Sequence, residues 1–189
     1  MKILITGSNG FLAKNLIIRL KENNYQKILE YKKNQSLKKL NEYIQSCDII
    51  FHLAAINRSS NLKEFQNINF NLTKYICDKA ALKKTKTPII FSSSIQALKK
   101  NVYGLSKKNA EEYLIKYQNK TRSNIYIFQL PNIFGKWSRP NYNSVVATFC
   151  YKISRRKKIK IYDQSELLSL VYVDDVIDQF FNIIKRKKP

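Results

Sequence analysis

Acidic residues are scarce in this 189-residue chain: 13 Asp and Glu stand against 35 Lys and Arg, for a net charge of +22. Such an excess invites a nucleic-acid reading. The cations are mostly Lys, scattered and mixed with Asn, Ile and Tyr, and no helix-turn-helix, RRM or zinc pattern accompanies them. No specific nucleic-acid role is expected, because charge alone supplies only non-specific attraction. The same charge favours anionic small molecules. Cysteine is equally sparse: Cys47, Cys77 and Cys150 are odd in number and far apart. That excludes a disulfide framework and any metal-ligand spacing, so no metal site and a reducing, cytoplasmic setting are expected. The single histidine, His52, is expected to pack at a strand end rather than to act as acid or base. Long apolar runs are missing too. None approaches the ~18 residues of a membrane helix, and no membrane association is expected. Met1-Lys2-Ile3-Leu4-Ile5 runs straight into a strand, so no secretory leader is expected.

Glycine is also rare, yet two of the four glycines fall in one short stretch, Thr6-Gly7-Ser8-Asn9-Gly10-Phe11-Leu12-Ala13. It follows an apolar strand, Lys2–Ile5, and precedes a helical pattern over Leu12–Leu20. Without side chains at Gly7 and Gly10 the backbone can approach a pyrophosphate, and the helix N-terminus stabilises its charge. Asn9, Phe11 and Leu12 lie in or beside the turn, and Ala13 stands where a helix packs closely on a strand. Further strands are predicted at Lys27–Tyr31, Asp48–Leu53, Pro88–Ser92 and Asn124–Gln129. Helices are predicted at Leu37–Gln45, Leu62–Leu82, Ser106–Gln118, Val145–Ser154 and Asp174–Lys187. Strands alternating with helices imply one α/β domain over 1–189, a doubly wound parallel sheet covered on both faces. The basic run Arg155–Lys160 reads as a solvated connector.

Tyr103-Gly104-Leu105-Ser106-Lys107 sets a phenol and an ammonium four residues apart, on one face of a helix. A free Tyr has a pKa near ~10 and needs help to exchange protons at neutrality. Lys107, one turn away, is expected to lower it by charge. A cofactor cradle together with such a pair suggests hydride chemistry on a carbonyl or alcohol.

These residues resemble the extended short-chain dehydrogenase/reductase superfamily of sugar-nucleotide epimerases, dehydratases and reductases, over nearly the whole chain. His52-Leu53-Ala54-Ala55 is similar to its segment lining adenosine and ribose, and Ser92-Ser93-Ser94 to the strand end that carries its active-site Ser. Tyr103 and Lys107 match its Tyr-x-x-x-Lys. Pro131-Asn132-Ile133-Phe134-Gly135 resembles its Pro-Asn-x-x-Gly loop, and Tyr172-Val173-Asp174-Asp175-Val176 its late Val-Asp-Asp-Val element. Ser92 to Ala97, the short gap to Tyr103, and Gly135-Lys136-Trp137 through Asn141 to Cys150 resemble one subgroup. It comprises the capsule and O-antigen reductases acting on UDP-2-acetamido-2,6-dideoxy-hexuloses, on the route to UDP-N-acetyl-L-fucosamine. Members of that subgroup carry a cupin-like domain after this one. This chain stops before it and before the usual end of the reductase domain, so it reads as C-terminally truncated relative to the family.

The resemblance implies reduction of a 4-keto group, with Tyr103 as proton donor, Ser94 orienting the substrate oxygen, and Lys107 modulating Tyr103 and holding the nicotinamide ribose. It assigns the cofactor to Gly7, Asn9, Gly10, Phe11, Leu12, Leu53, Ala54, Ala55, Asn69, Ser92, Tyr103, Lys107 and Pro131. Cofactor choice stays open between two features. Glu30 near the end of the second strand suits a ribose 2′-hydroxyl and NAD(H); Lys32 and Lys33 suit a 2′-phosphate. The subgroup resemblance favours NADPH. Substrate contacts are expected from Arg58, Ser94, Asn132, Arg139, Asn141 and Asn143, since the Arg fork suits a diphosphate. Ile95 and Gln96 stand where dehydratases of the superfamily place acids, and neither does acid/base work, which argues against dehydration. An epimerase with bound NAD, and a truncated dinucleotide-binding remnant without turnover, are the alternatives. Expected partners are a UDP-sugar substrate and, by analogy, either a second copy of the chain or a separately encoded C-terminal partner.

Overall fold

The computed structural model describes residues 1–161 and 167–186. It divides the chain into two compact units, Met1–Gln129 and Leu130–Pro189.

The first unit is built on a five-stranded sheet. Its strands are β1 (Ile3–Thr6), β2 (Ile28–Tyr31), β3 (Ile49–His52), β4 (Ile89–Ser94) and β5 (Ile125–Leu130), in the order β2-β1-β3-β4-β5. β1 pairs in parallel with β2 and with β3, and β3 with β4. The chain leaves β1 for β2 on one side and returns across it to β3 on the other. That reversal opens a crevice beyond the C-terminal ends of β1 and β3, the place where doubly wound sheets bind ligands.

Near-continuous apolar strands follow from burial on both faces. Leu4, Ile50, Ile89 and Phe91 share a core with Leu40 and Ile44 of α2 (Leu37–Ser46), and with Ile76, Cys77 and Ala80 of α4 (Leu72–Ala81). Ala110, Leu114 and Tyr117 of α5 (Val102–Thr121) complete it. Alternation sends Ile3, Ile5, Ile49, Phe51 and Ile90 to the other face, where they too are buried. On α1 (Phe11–Glu22) the stripe Ala13, Leu16, Ile17, Leu20 is buried. Cys47 and Cys77 serve as apolar filling, and burial pushes the Cys47 thiol up to about 11.

The helix expected to carry Tyr103 and Lys107 and to continue over Ser106–Gln118 is α5, which starts at Val102, where the Asn101 side chain accepts from the Gly104 amide at 2.7 Å and caps it. One predicted helix differs from expectation. The stretch predicted as one α-helix over Leu62–Leu82 is a composite. A single turn, α3 (Leu62–Glu64), leads into a π-helical segment, Phe65–Asn71, and then into α4. Such widened turns concentrate at functional sites.

In the second unit two short strands, β6 (Asn132–Phe134) and β7 (Leu170–Tyr172), pair in parallel. Their helices are α6 (Val145–Ile153) and α7 (Val173–Lys185). Asp174 and Asp175 occupy the first turn of α7 and Lys185 the last, as the helix dipole favours. The predicted end of this helix, Lys187, lies outside the described residues. Among the described residues no helix is long and apolar enough to cross a membrane.

Ile50, fully buried in the central strand, reports on this core. Ile50→Ala is expected to lower unfolding free energy by about 2–5 kcal/mol, read from urea denaturation; a change below about 1 kcal/mol would place the core elsewhere.

Candidate active site

The glycine turn meets the end of β3 backbone to backbone. Gly7 has φ +67°, and a Cβ there would lie 2.7 Å from Ala54 Cα and 2.9 Å from its N. A side chain is excluded by both conformation and space. Gly10 then caps α1 without a side-chain hydrogen bond, whereas Ser36, Asn101 and Ser144 cap α2, α5 and α6 with side-chain oxygens. The first N–H groups of α1 are left to an incoming anion. A bare backbone cradle at a helix start beside the sheet's reversal point fits a dinucleotide pyrophosphate. Asn9 and Gly10 are exposed on the turn, Phe11 and Leu12 are half-buried beside it, and Leu53, Ala54 and Ala55 follow β3 across the crevice.

His52 is fully buried under this turn. Its Nδ1 lies 2.7 Å from Thr6 Oγ1 and its Nε2 2.9 Å from Thr73 Oγ1. Thr73 donates to the Asn69 carbonyl at 2.8 Å, so its oxygen must accept from His52. We therefore assign the neutral tautomer with the proton on Nε2, and Thr6 donates to Nδ1 while accepting from the Ala54 amide at 3.2 Å. Burial, with the Lys107 charge as a second cause, pushes the imidazole down to about 3. The expected packing role holds, and the side chain is a bridge between the cradle and the π-helical segment.

Asn69 continues the bridge. Its Oδ1 accepts from the Ile56 amide at 2.9 Å, and its Nδ2 donates to the Ile56 carbonyl at 2.9 Å and to Ser106 Oγ at 3.0 Å. Ser106 donates in turn to the Tyr103 carbonyl at 2.7 Å. Asn69, expected among the cofactor-binding residues, has its amide committed to protein and positions the loop after β3 against α5.

The catalytic candidates gather at the end of β4. Ser94 caps the 3₁₀ turn Ile95–Leu98 by accepting from the Gln96 amide at 3.2 Å, and its hydroxyl lies near enough to the Tyr103 phenol to act on its pKa. Lys107 is buried, with Nζ 2.7 Å from the Ser92 carbonyl and 4.5 Å above the Phe91 ring. Burial pushes its ammonium down to about 7, against the opposing pull of Glu111. One expectation needs correction. The Tyr103 pKa is raised, not lowered: burial dominates, with Ser94 acting the other way. The Lys107 amine is turned to the Ser92 carbonyl and contributes no resolved pull on the phenol.

Gly104 went unnoticed at the sequence level. A Cβ there would stand 2.2 Å from the Gln96 carbonyl oxygen and 2.6 Å from that of Lys99. The missing side chain lets α5 press onto the 3₁₀ turn and brings Tyr103 to Ser94. Asn101, three residues before this glycine, was the readable capping signal.

Lys32 and Lys33 stand just beyond β2, where the Lys32 amide donates to Gln35 Oε1 at 2.8 Å. Ser8 of the glycine turn reaches the end of the same strand, its amide donating to the Tyr31 carbonyl at 3.3 Å. Glu30, next to last in β2, also lines a hollow with Lys21, Asn24, Tyr25 and Gln26. Arg58 is exposed in the loop after β3. Pro131, Asn132, Arg139, Asn141 and Asn143 belong to the second unit. Asn132 opens β6, so the predicted Pro-Asn-x-x-Gly and Val-Asp-Asp-Val segments are joined through strand pairing, Phe134 opposite Tyr172. Arg139 lies 5.5 Å from the Tyr142 ring, and the Asn141 amide donates to Thr148 Oγ1 at 2.9 Å.

Fold and crevice define a dinucleotide-binding α/β protein with a Ser–Tyr–Lys constellation. Residues 3–189 match the NAD dependent epimerase/dehydratase family, and the chain belongs to that family. It is 44% identical over 187 residues to a UDP-2-acetamido-2,6-beta-L-arabino-hexul-4-ose reductase of Pseudomonas aeruginosa, covering 99% of this chain and 50% of that protein. Among solved structures it superposes on the capsular polysaccharide assembling protein CapF of Staphylococcus aureus with TM-score 0.83 and 37% identity. That match covers 98% of this chain and 49% of the other. UDP-glucuronic acid 4-epimerase of Bacillus cereus, in complex with NAD, shares the fold at TM-score 0.85 and 18% identity. The chain thus spans about half the length of the relatives it matches at higher identity.

The neutral imidazole gives a signed pH dependence. A buried His with a folded pKa near 3 against about 6.5 unfolded binds fewer protons folded than unfolded between those values. Stability is therefore expected to fall as pH drops from about 6.5 toward 3, by up to ~1.4 kcal/mol per unit. Urea midpoints from pH 7 to 4 should show this slope in the wild type and a shallower one in His52→Gln; equal slopes would refute the assignment.

Proposed function

We propose that this chain is an NADPH-dependent reductase of the 4-keto group of a UDP-linked 2-acetamido-2,6-dideoxy-hexulose, serving capsule or O-antigen sugar synthesis in the cytoplasm. The observation that carries the reading is the gathering of Ser94, Tyr103 and Lys107 around the end of β4, with Ser94 at the start of the 3₁₀ turn and the Lys107 amine buried on the Ser92 carbonyl. The named activity of the Pseudomonas aeruginosa relative supports the substrate class.

A bound nicotinamide supplies the hydride. The protein's part is the proton and its alignment. A Tyr103 phenol held above its ordinary range by burial stays protonated at neutral pH, the form a donor to a developing alkoxide requires. Ser94, fixed at the start of the 3₁₀ turn, offers a second hydrogen bond to the same oxygen and orients the carbonyl. Lys107 is the proposed anchor of the nicotinamide ribose. Lys32 and Lys33 beyond β2 suit a 2′-phosphate. Arg58, Asn132, Arg139, Asn141 and Asn143 are the proposed substrate contacts.

A second reading, carried by the bare glycine cradle against Ala54, is a dinucleotide-binding module without turnover. Calorimetry separates these possibilities. Micromolar NADPH binding, weakened at least tenfold in Lys32→Ala/Lys33→Ala (about 1.4 kcal/mol), is expected; no binding of NADPH or NADH by the folded chain would sink the stand-alone reductase. Tyr103→Phe is expected to keep NADPH affinity while losing about 10²–10⁴-fold in keto-sugar-dependent NADPH oxidation. Unchanged oxidation would remove Tyr103 as the proton donor. NADPH binding without oxidation by the wild type would favour the module.

A further inference from the structure

Next to the catalytic candidates, three side chains from three elements converge with no assigned role. Ser93 alternates with Ser92 and Ser94 along β4 and is buried; its hydroxyl donates to Glu111 Oε1. Gln129 of β5 donates through Nε2 to Glu111 Oε2 at 2.9 Å. Both carboxylate oxygens of Glu111 are thereby held. Glu111 lies four residues beyond Lys107 on α5, one turn further along the same face.

Lys107 has few other sources of compensation. From β4 it meets the Ser92 carbonyl and the Phe91 ring face. From β3 it faces His52, whose imidazole burial keeps neutral and whose ring nitrogens are taken by two threonines. Tyr103, one turn back on α5, is a protonated phenol. A buried ammonium beside these groups gains a dipole and a π face but no counter-ion, and desolvation costs more than these return.

We infer that Glu111, clamped by Ser93 and Gln129, is the counter-charge that holds the Lys107 side chain as an ammonium against the Ser92 carbonyl, a positioning residue acting through Lys107. The upward pull of Glu111 on the Lys107 pKa agrees with this. The clamp has a geometric purpose. A free glutamate on a half-buried helix face would swing to solvent, where its charge is screened. Two hydrogen bonds keep it at fixed range. That the ammonium matters for turnover rests on the reductase reading above; that Glu111 sets its charge does not.

The experiment is the titration of Lys107 by NMR in protein labelled at the lysine side chains, its signal assigned by its loss in Lys107→Arg. The wild-type midpoint is expected near 7. In Glu111→Gln it should fall by about one pH unit or more, with Glu111→Asp recovering part of the shift. Ser93→Ala/Gln129→Ala, which keeps the carboxylate but frees it, should shift the midpoint the same way by less, and serves if Glu111→Gln does not fold. A midpoint within roughly 0.3 units of wild type in a folded Glu111→Gln or in the double variant would overturn the inference. NADPH titrations on the same samples keep the two ideas apart: a shifted midpoint with no NADPH binding leaves the counter-charge standing and removes the reductase reading.

Discussion

The rest of the site is built outward from one contact, the backbone of Gly7 against the backbone of Ala54. It joins the ends of β1 and β3, the two strands between which the chain reverses direction in the sheet. With no side chain between them, the turn into α1 stays tight and the helix start faces the crevice. The Ala54 amide falls within reach of Thr6, which places the Thr6 hydroxyl on His52. A side chain at position 7 would push the turn off β3 and pull apart the hydrogen bonds that begin there.

From that contact a buried polar path crosses the unit: Thr6, His52, Thr73, Asn69, Ser106 and the Tyr103 carbonyl. Buried polar groups are costly unless satisfied, and here each hydroxyl and ring nitrogen has a defined donor or acceptor role. Such a path specifies position more than it adds stability. It ties the glycine turn to the helix that carries the phenol and the amine.

Electrostatics beneath the crevice follow from burial. An imidazole and an amine share a low-dielectric space, and both cannot be charged cheaply. The histidine gives way, kept neutral by burial and by the Lys107 charge. The lysine is pushed to about 7, balanced between burial and Glu111. The phenol goes the other way, raised by the same burial. One environment thus yields a phenol that keeps its proton and an amine whose charge is adjustable near neutrality.

Local pattern was enough for much of this. The apolar strand, glycine turn and helix at the N-terminus, the alternation of strands with helices, and Tyr103 and Lys107 on one face all follow from periods of 2 and 3.6 and from the conformational range of glycine. Those are properties of neighbours in sequence, and the sequence determined them by itself. The tertiary structure decided the rest. The π-helical segment is held by Asn69 reaching Ile56 and Ser106, partners 13 and 37 residues away. Lys107 turns to the Ser92 carbonyl and not to the phenol because β4 lies beneath α5. β6 and β7 are three residues each, too short for a readable period, and exist only because they pair. Each of these depends on which distant group fills the space beside a side chain, and that is settled only when the chain is folded.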